Sequence, residues 1–259
     1  MIHSLYFGFE RFLLFITNGT AACVQGVALG FLSNEQLDRM TAKRYAGAWQ
    51  SYAESSYLNE GLFLWEHQAI SKHFPRSGRV LVAAAGAGRE MIALAKLGYR
   101  VDGFDCCQPL LESGRSELTR QGIAARLDYA PPSRAPESMG KYDAVLVGFS
   151  GYMYIPGREN RIKFLKDLCR SLPAGAPLLI SFMEGFSGRR RTWTAKIGTA
   201  VRKLRGAGAV EAGDSFKGGF QHHFSYEQIQ SEMNQAGLDL VHYGGGTCYG
   251  HAVGVVRNG

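Results

Sequence analysis

Gly86, Gly88 and Asp105 are the residues whose types and spacing point most directly to chemistry. Two glycines one residue apart let the backbone turn sharply and bring N–H groups close to a ligand that a Cβ would hold away. An aspartate closing the next apolar run offers acceptor oxygens suited to two adjacent ribose hydroxyls. That combination describes a site for a nucleotide-like ligand. Glu184 closes a later apolar run and could act as a general base or hold an amine. His222 and His223 titrate near neutral pH and could take a proton from a hydroxyl or amine acceptor. Adjacent residues of an extended chain point apart, so one of the two histidines is expected to reach a ligand. For all three groups a plain loop or capping role is the competing reading.

The elements that must position these groups follow from hydrophobic patterning. From Arg79 to Asp105 the chain reads RVLVAAAGAGREMIALAKLGYRVDGFD, an order of strand, glycine turn, helix and strand. Val80 to Ala83 form the continuous apolar run of a strand buried on both faces of a parallel sheet. A helix over 89–97 follows, offering Met91, Ile92, Ala95 and Leu97 to the sheet, and Gly98 stops it. Further strands are expected over 125–129, 144–149 and 178–182, with helical patterns between them and a final hairpin over 238–243 and 251–256. Such alternation specifies an α/β fold. In open sheets of this kind ligands bind beyond the carboxyl ends of the strands, which makes Phe149, Tyr152 and Tyr154 candidate pocket residues. Ser33 with Gln36 and Ser225 with Gln228 are capping-box pairs that open helices, and Gly237 ends the second. Tyr45, Trp49 and Tyr52 recur at helical spacing and are expected to share one face, as a core stripe or as a cover over the ligand.

Leu81 to Gly88, together with Asp105, resembles the class I S-adenosylmethionine-dependent methyltransferases, in which an LDxGxGxG-like turn cradles the cofactor's amino acid end and an acid ending the second strand holds the ribose. The likeness lies at motif level there, and at the level of element order from about Arg79 to Val256. It departs at Val82, where the family usually has an acid, and at Ala84, where it usually has the first glycine. The resemblance implies a Rossmann-like, seven-stranded, mostly parallel sheet with an antiparallel last strand, helices on both faces and an N-terminal helical extension. S-adenosylmethionine is the implied cofactor. Ala84, Ala85, Gly86 and Gly88 would approach its methionine portion and Asp105 its ribose. Cys106 would lie beside the adenosine, Asp128 near the adenine amino group and Phe149 at the cofactor's side, with Tyr45 closing over it. Trp49, Tyr152 and Tyr154 would bind the substrate, with His222, His223 and Glu184 as catalytic candidates. The expected activity is in-line methyl transfer to a small molecule, anionic or hydrophobic. Glycine turns also serve flavin and nicotinamide enzymes. A nicotinamide-dependent oxidoreductase is disfavoured by the missing third glycine of GxGxxG and the lack of an evident Tyr–Lys arrangement. A non-catalytic binding or regulatory protein retaining the fold is the remaining alternative, motivated by Val82 and Ala84.

Length and composition set the frame. At 259 residues the chain suits one α/β domain over 75–259, with a helical extension over 1–74 and a basic helical insertion at about 187–215. Its five cysteines are odd in number and lack CxxC or Cys/His ligand spacing, which points to a reducing, cytoplasmic setting and to no metal site. The net charge of +7 is local: without Arg189, Arg190, Arg191, Lys196, Arg202, Lys203 and Arg205, the remaining bases match the 22 acids. Trp193, Ile197, Val201 and Leu204 make that basic segment amphipathic. It reads as a solvated lid helix, as recognition of an anionic substrate, or as docking on nucleic acid or an anionic membrane. A nucleic-acid partner is disfavoured, since no recognisable module accompanies the segment. Residues 12–32 carry no charge and read as helices buried against the domain or a partner chain, which leaves a homo-oligomer open. Membrane association through 12–32 or 189–205 is not favoured.

Overall fold

The computed structural model of the protein describes residues 19–185, 189–246 and 248–258. Its centre is a sheet in which β1 (Arg79–Ala83), β2 (Arg100–Asp105), β3 (Leu127–Tyr129), β4 (Ala144–Val147) and β5 (Pro177–Glu184) run parallel in the order β3-β2-β1-β4-β5. Beyond β5 lies β9 (Tyr249–Val256), antiparallel to it, and then β8 (Leu238–Gly244), antiparallel to β9. The mostly parallel sheet and the reversed last strand are those expected, but among the described residues the sheet has nine strands where seven were expected.

Alternation along β1 decides which helices cover which face. Val80 and Val82 pack on α5 (Leu64–His73), α6 (Arg89–Lys96) and α7 (Gln108–Arg120), while Leu81 and Ala83 pack on α8 (Arg158–Cys169) and α10 (Tyr226–Gln235). Met91, Ile92 and Leu94 of α6 are fully buried, each stabilising the layer by about 1.5–3 kcal/mol. Both capping boxes form, Ser33 with Gln36 at the start of α2 (Asn34–Gly47) and Ser225 with Gln228 at the start of α10.

Three expectations are corrected. First, residues 220–224 are a strand and not a loop. β6 (Asp214–Phe216) and β7 (Phe220–Phe224) form a hairpin, and β7 pairs parallel with Met183 and Glu184, on the edge that β4 leaves free when it ends at Val147. The signal was the run Phe216-Lys217-Gly218-Gly219-Phe220, a three-residue hairpin loop with Gly218 at φ 71°. Second, Tyr45, Trp49 and Tyr52 do not lie on one continuous helix. The helix breaks after Gly47, and α3 (Trp49–Ala53) and α4 (Ser55–Asn59) follow as short pieces. Third, Trp193 and Leu204 of α9 (Arg189–Leu204) are exposed, at 61% and 89%, so the apolar face is made instead by Ala195, Ile197 and Val201.

A helix over 19–31, labelled α1, meets that face. Gly26 and Gly30 are so close to Ile197 and Val201 that a Cβ on either would clash at 2.8 and 2.5 Å. Arg202 and Arg205 donate to the carbonyls of Leu29, Gly30 and Phe31, satisfying the end of α1. Thus part of the basic run caps a helix, while Lys196 and Lys203 face solvent. Residues 12–18 of the uncharged stretch, and the side chains of Arg189, Arg190 and Arg191, lie outside the described residues. Among the described residues no helix is long and apolar enough to cross a membrane.

Candidate active site

A cavity of about 280 Å³ opens at the carboxyl ends of β1, β2 and β4. Its floor is the turn after β1. Ala84 has φ 53°, Gly86 φ 54° and Gly88 φ 92°, so three residues of the turn are left-handed, one of them not a glycine. The chain opposite makes room for that alanine. A Cβ on Gly148 would sit 2.4 Å from the Ala84 carbonyl oxygen, and a Cβ on Gly151 would sit 2.7 Å from Ala84 Cβ.

Asp105 stands at the cavity edge of this turn. Its Oδ2 accepts from Gly86 N at 2.9 Å and its Oδ1 from Cys107 N at 2.8 Å. Burial pushes its carboxyl above the usual aspartate range, against the backbone donors of Gly86, Cys107 and Cys106, which pull it down. Burial likewise pushes the Cys106 thiol up to about 12, so it stays protonated beside the ligand site. From the other side α2 presents Asp38, Thr41, Ala42 and Tyr45, the i, i+3, i+4, i+7 face of one helix. Ser133 donates to Asp38 at 2.6 Å, and burial pushes the Asp38 carboxyl up to about 6. Tyr45 stacks edge-on against Tyr154 at 5.2 Å and lies 5.4 Å from Tyr52. Phe149 closes the far wall, 5.0 Å from Phe63 and 5.1 Å from Tyr249.

The cavity therefore gathers Ala84, Ala85, Gly86, Asp105, Cys106, Phe149, Tyr45 and Tyr154 of the residues expected there. The others lie elsewhere. Gly88 caps α6 just behind the turn. Asp128 is exposed on β3, because the edge strand turns it to solvent. Trp49 packs against the core around α6 and α7. Tyr152 is fully buried beneath the floor, donating to Glu232 at 2.6 Å. Glu184 is engaged by Tyr243 and by Gly246 N at 2.6 Å. His222 and His223 are buried on β7. His222 meets Asp214 at 2.7 Å, in a network that continues through Glu211 and Arg161 to Glu232. None of the three catalytic candidates lines the cavity: pairing with β5 turned the loop expected to carry the two histidines into buried strand, and Glu184 is held by Tyr243 and Gly246 N. Conversely, Glu90, Asp38, Tyr57 and Tyr249 line it without having been singled out. For Asp38 the signal was available in its spacing from Tyr45. Glu90 could be found only once the turn was seen to aim the start of α6 at the cavity.

Val82, at the position of the missing acid, is fully buried among apolar side chains and does not reach the cavity. The remaining floor still provides what an adenosyl ligand needs: a left-handed backbone turn, a carboxylate beside it and an apolar slot between Leu110 and Ala130. Metal-ligand geometry occurs among the described residues only at Glu211, Asp214 and His222, away from this cavity.

Residues 80–175 match a family model described as a methyltransferase domain. Over 122 residues the chain is 30% identical to the polyketide synthase ThaQ of Burkholderia thailandensis, an alignment covering 46% of this chain and 6% of that protein. The chain thus spans a small part of the curated relative it matches. Among solved structures, a S-adenosylmethionine-dependent methyltransferase of Methanosarcina mazei is similar with TM-score 0.59 at 15% identity, over 77% of this chain and 100% of the other. The 1,6-didemethyltoxoflavin-N1-methyltransferase of Burkholderia thailandensis, solved with 1,6-didemethyltoxoflavin and S-adenosylhomocysteine, is similar with TM-score 0.64 at 13% identity, over 88% and 92%. The CcbJ methyltransferase of Streptomyces caelestis gives 0.57 at 15%, over 74% and 88%.

Proposed function

We propose that the chain is a class I S-adenosylmethionine-dependent methyltransferase, a reading supported by the methyltransferase-domain match over residues 80–175, and that it methylates a small, apolar or aromatic acceptor bound against Phe149, Tyr249 and the Tyr45–Tyr154 pair. The observation that carries this reading is the cavity itself, in which Asp105 is fastened to the glycine turn and aromatic rings form the opposite wall. Bound there, S-adenosylmethionine supplies an electrophilic methyl group on a sulfonium. Asp105 would then accept from the ribose hydroxyls, and the amino acid end would lie against the turn at Ala84 to Gly86, where the N–H groups of Ala85 and Gly86 are already given to Phe104 O and to Asp105. Leu110 and Ala130 would enclose the adenine, with Asp38 taking the part expected of Asp128. The aromatic wall would exclude water and hold the acceptor against the transferred methyl group, so that positioning supplies much of the rate.

Of the two acceptor classes expected, the lining supports the apolar one. Among the described residues its charged side chains are Asp38, Glu90 and Asp105 against Arg134, and no described basic side chain of α9 contributes. The Burkholderia thailandensis neighbour likewise holds a small molecule, 1,6-didemethyltoxoflavin. With His222, His223 and Glu184 outside the cavity, the proposal assigns them no proton transfer; acceptors whose nucleophilic atom is already unprotonated suit this site best.

Calorimetric titration of the protein with S-adenosylhomocysteine tests the reading, with NADH as comparator and Asp105→Ala as control. Binding of S-adenosylhomocysteine that is lost in the variant supports it. Binding of NADH instead, or of neither ligand, overturns it.

A further inference from the structure

The cavity wall carries a negative charge that its own cations do not balance. Arg89, at the start of α6, is 1% exposed and meets Glu66 as a fork, Nη1 to Oε2 at 3.0 Å and Nη2 to Oε1 at 2.8 Å. Glu66 is fully buried, so that pair alone already neutralises the guanidinium. Glu90 is a second carboxylate on the same cation. Its Oε1 accepts from Arg89 Nη2 at 2.7 Å and from Phe149 N at 3.0 Å, and it is 4% exposed. Two buried carboxylates share one guanidinium, and burial together with the neighbouring Glu90 pushes the Glu66 carboxyl up. A cation arriving beside Glu90 would favour the ionised form of both acids.

That cation must come from the cavity, because Glu90 lines it and Glu66 does not. Arg134, the lining cation, acts on Asp38, whose carboxyl it pulls down against burial. Asp105 is also an acid, and its like charge acts on the same space as Glu90. A ligand placed between the turn and Phe149 therefore meets an anionic wall at Glu90. The cofactor reading above supplies a cation of suitable reach in the amino acid end that the turn would hold. We propose that Glu90, in the first turn of α6, is the counter-charge for the ammonium group of that amino acid end.

This inference rests on the cofactor reading, and the test separates the two. Affinities of the full chain, wild type and Glu90→Gln, are measured for S-adenosylhomocysteine and for its deaminated analogue, which keeps the carboxylate but lacks the ammonium. S-adenosylhomocysteine carries no sulfonium, so a change in its binding reports on the amino acid end. The expected result is a loss of about tenfold to a hundredfold for S-adenosylhomocysteine in Glu90→Gln, the size of a hydrogen bond to a charged partner. The deaminated analogue should bind both proteins within about twofold, as a ligand not touched by the change. Equal weakening of both ligands would show that Glu90 acts through Phe149 or the turn, and no weakening of either would show that the ammonium does not use it; each result overturns the proposal. Wild-type protein that binds neither ligand overturns the cofactor reading as well. Should Glu90→Gln fail to fold, Glu90→Asp keeps the charge and must still prefer the amine over the deaminated analogue for the proposal to stand.

Discussion

Gly86 donates its backbone N–H to Asp105 Oδ2 at 2.9 Å, so the acid that closes β2 is fastened to the turn that closes β1. The two halves of the ligand site are thus one rigid unit, and the carboxylate reaches the cavity with its orientation already set. The same carboxylate takes a second bond from Cys107 N at 2.8 Å.

Asp105→Asn is expected to lower S-adenosylhomocysteine affinity by about tenfold to a hundredfold, because the amide has one acceptor oxygen where the carboxylate has two and the backbone donors already claim it. Titration calorimetry reads the loss. Unchanged affinity would mean that the ligand does not use this carboxylate.

What the sequence made legible was governed by short-range rules. The glycine turn, the continuous apolar strands and both capping boxes are written in neighbouring residues, and they emerged where expected. Residues whose role depends on a long-range partner were not legible. Tyr152 follows a strand that opens onto the cavity, yet a buried Glu232 on α10 draws it beneath the floor. His222 precedes a helix cap, yet it becomes part of a strand because β5 outruns β4 and needs a partner. Glu90 drew no notice, since a glutamate in the first turn of a helix is ordinary; its meaning comes from Glu66, far away in the chain.

Tyr152 and Tyr154 should separate by what they change. Tyr152→Phe removes the bond to Glu232, which Arg161 still holds at 2.7 Å, so the expected cost is about 1–3 kcal/mol of stability in urea unfolding with ligand affinity unchanged. Tyr154→Phe touches the cavity wall and should alter acceptor KM while leaving unfolding nearly unchanged. The reverse pattern would place Tyr152 at the substrate.

Asp214 and His222 form a buried pair whose pH behaviour is specific. Burial pushes Asp214 from 3.8 up to about 7. It also pushes His222 from 6.5 down to about 4, and the Arg161 guanidinium acts in the same direction. Between about 4 and 7 both groups are neutral, so there the 2.7 Å contact is a neutral hydrogen bond and not an ion pair. Asp214 favours the fold at low pH and that contribution fades as pH rises towards about 7, while His222 favours it above 6.5 and fades as pH falls towards about 4. Between about 4 and 6.5 the two slopes oppose, so the pair adds little pH dependence. Asp214→Asn leaves the histidine slope alone and should make the protein lose stability on acidification by up to about 1.4 kcal/mol per pH unit in that window. Urea unfolding at stepped pH measures it, and parallel wild-type and variant curves would show that the pair is not neutral.

Ala84 and Gly151 should be coupled. An alanine at φ 53° costs roughly 1–2 kcal/mol relative to a right-handed conformation, and glycine at the same place loses about 0.5–1 kcal/mol in chain entropy. Ala84→Gly is therefore expected to stabilise the protein by about 0.5–1 kcal/mol. Gly151→Ala should destabilise it, because the new Cβ would lie 2.7 Å from Ala84 Cβ, far inside contact distance. In the double variant that clash is gone, and only the 3.4 Å approach to Val147 remains. The cycle should thus show the cost of Gly151→Ala falling by at least about 1 kcal/mol when Ala84 is glycine. Additive effects would mean that the alanine is accommodated by movement of the turn, and then S-adenosylhomocysteine affinity, measured on the same four proteins, should fall in Gly151→Ala and recover in none of them.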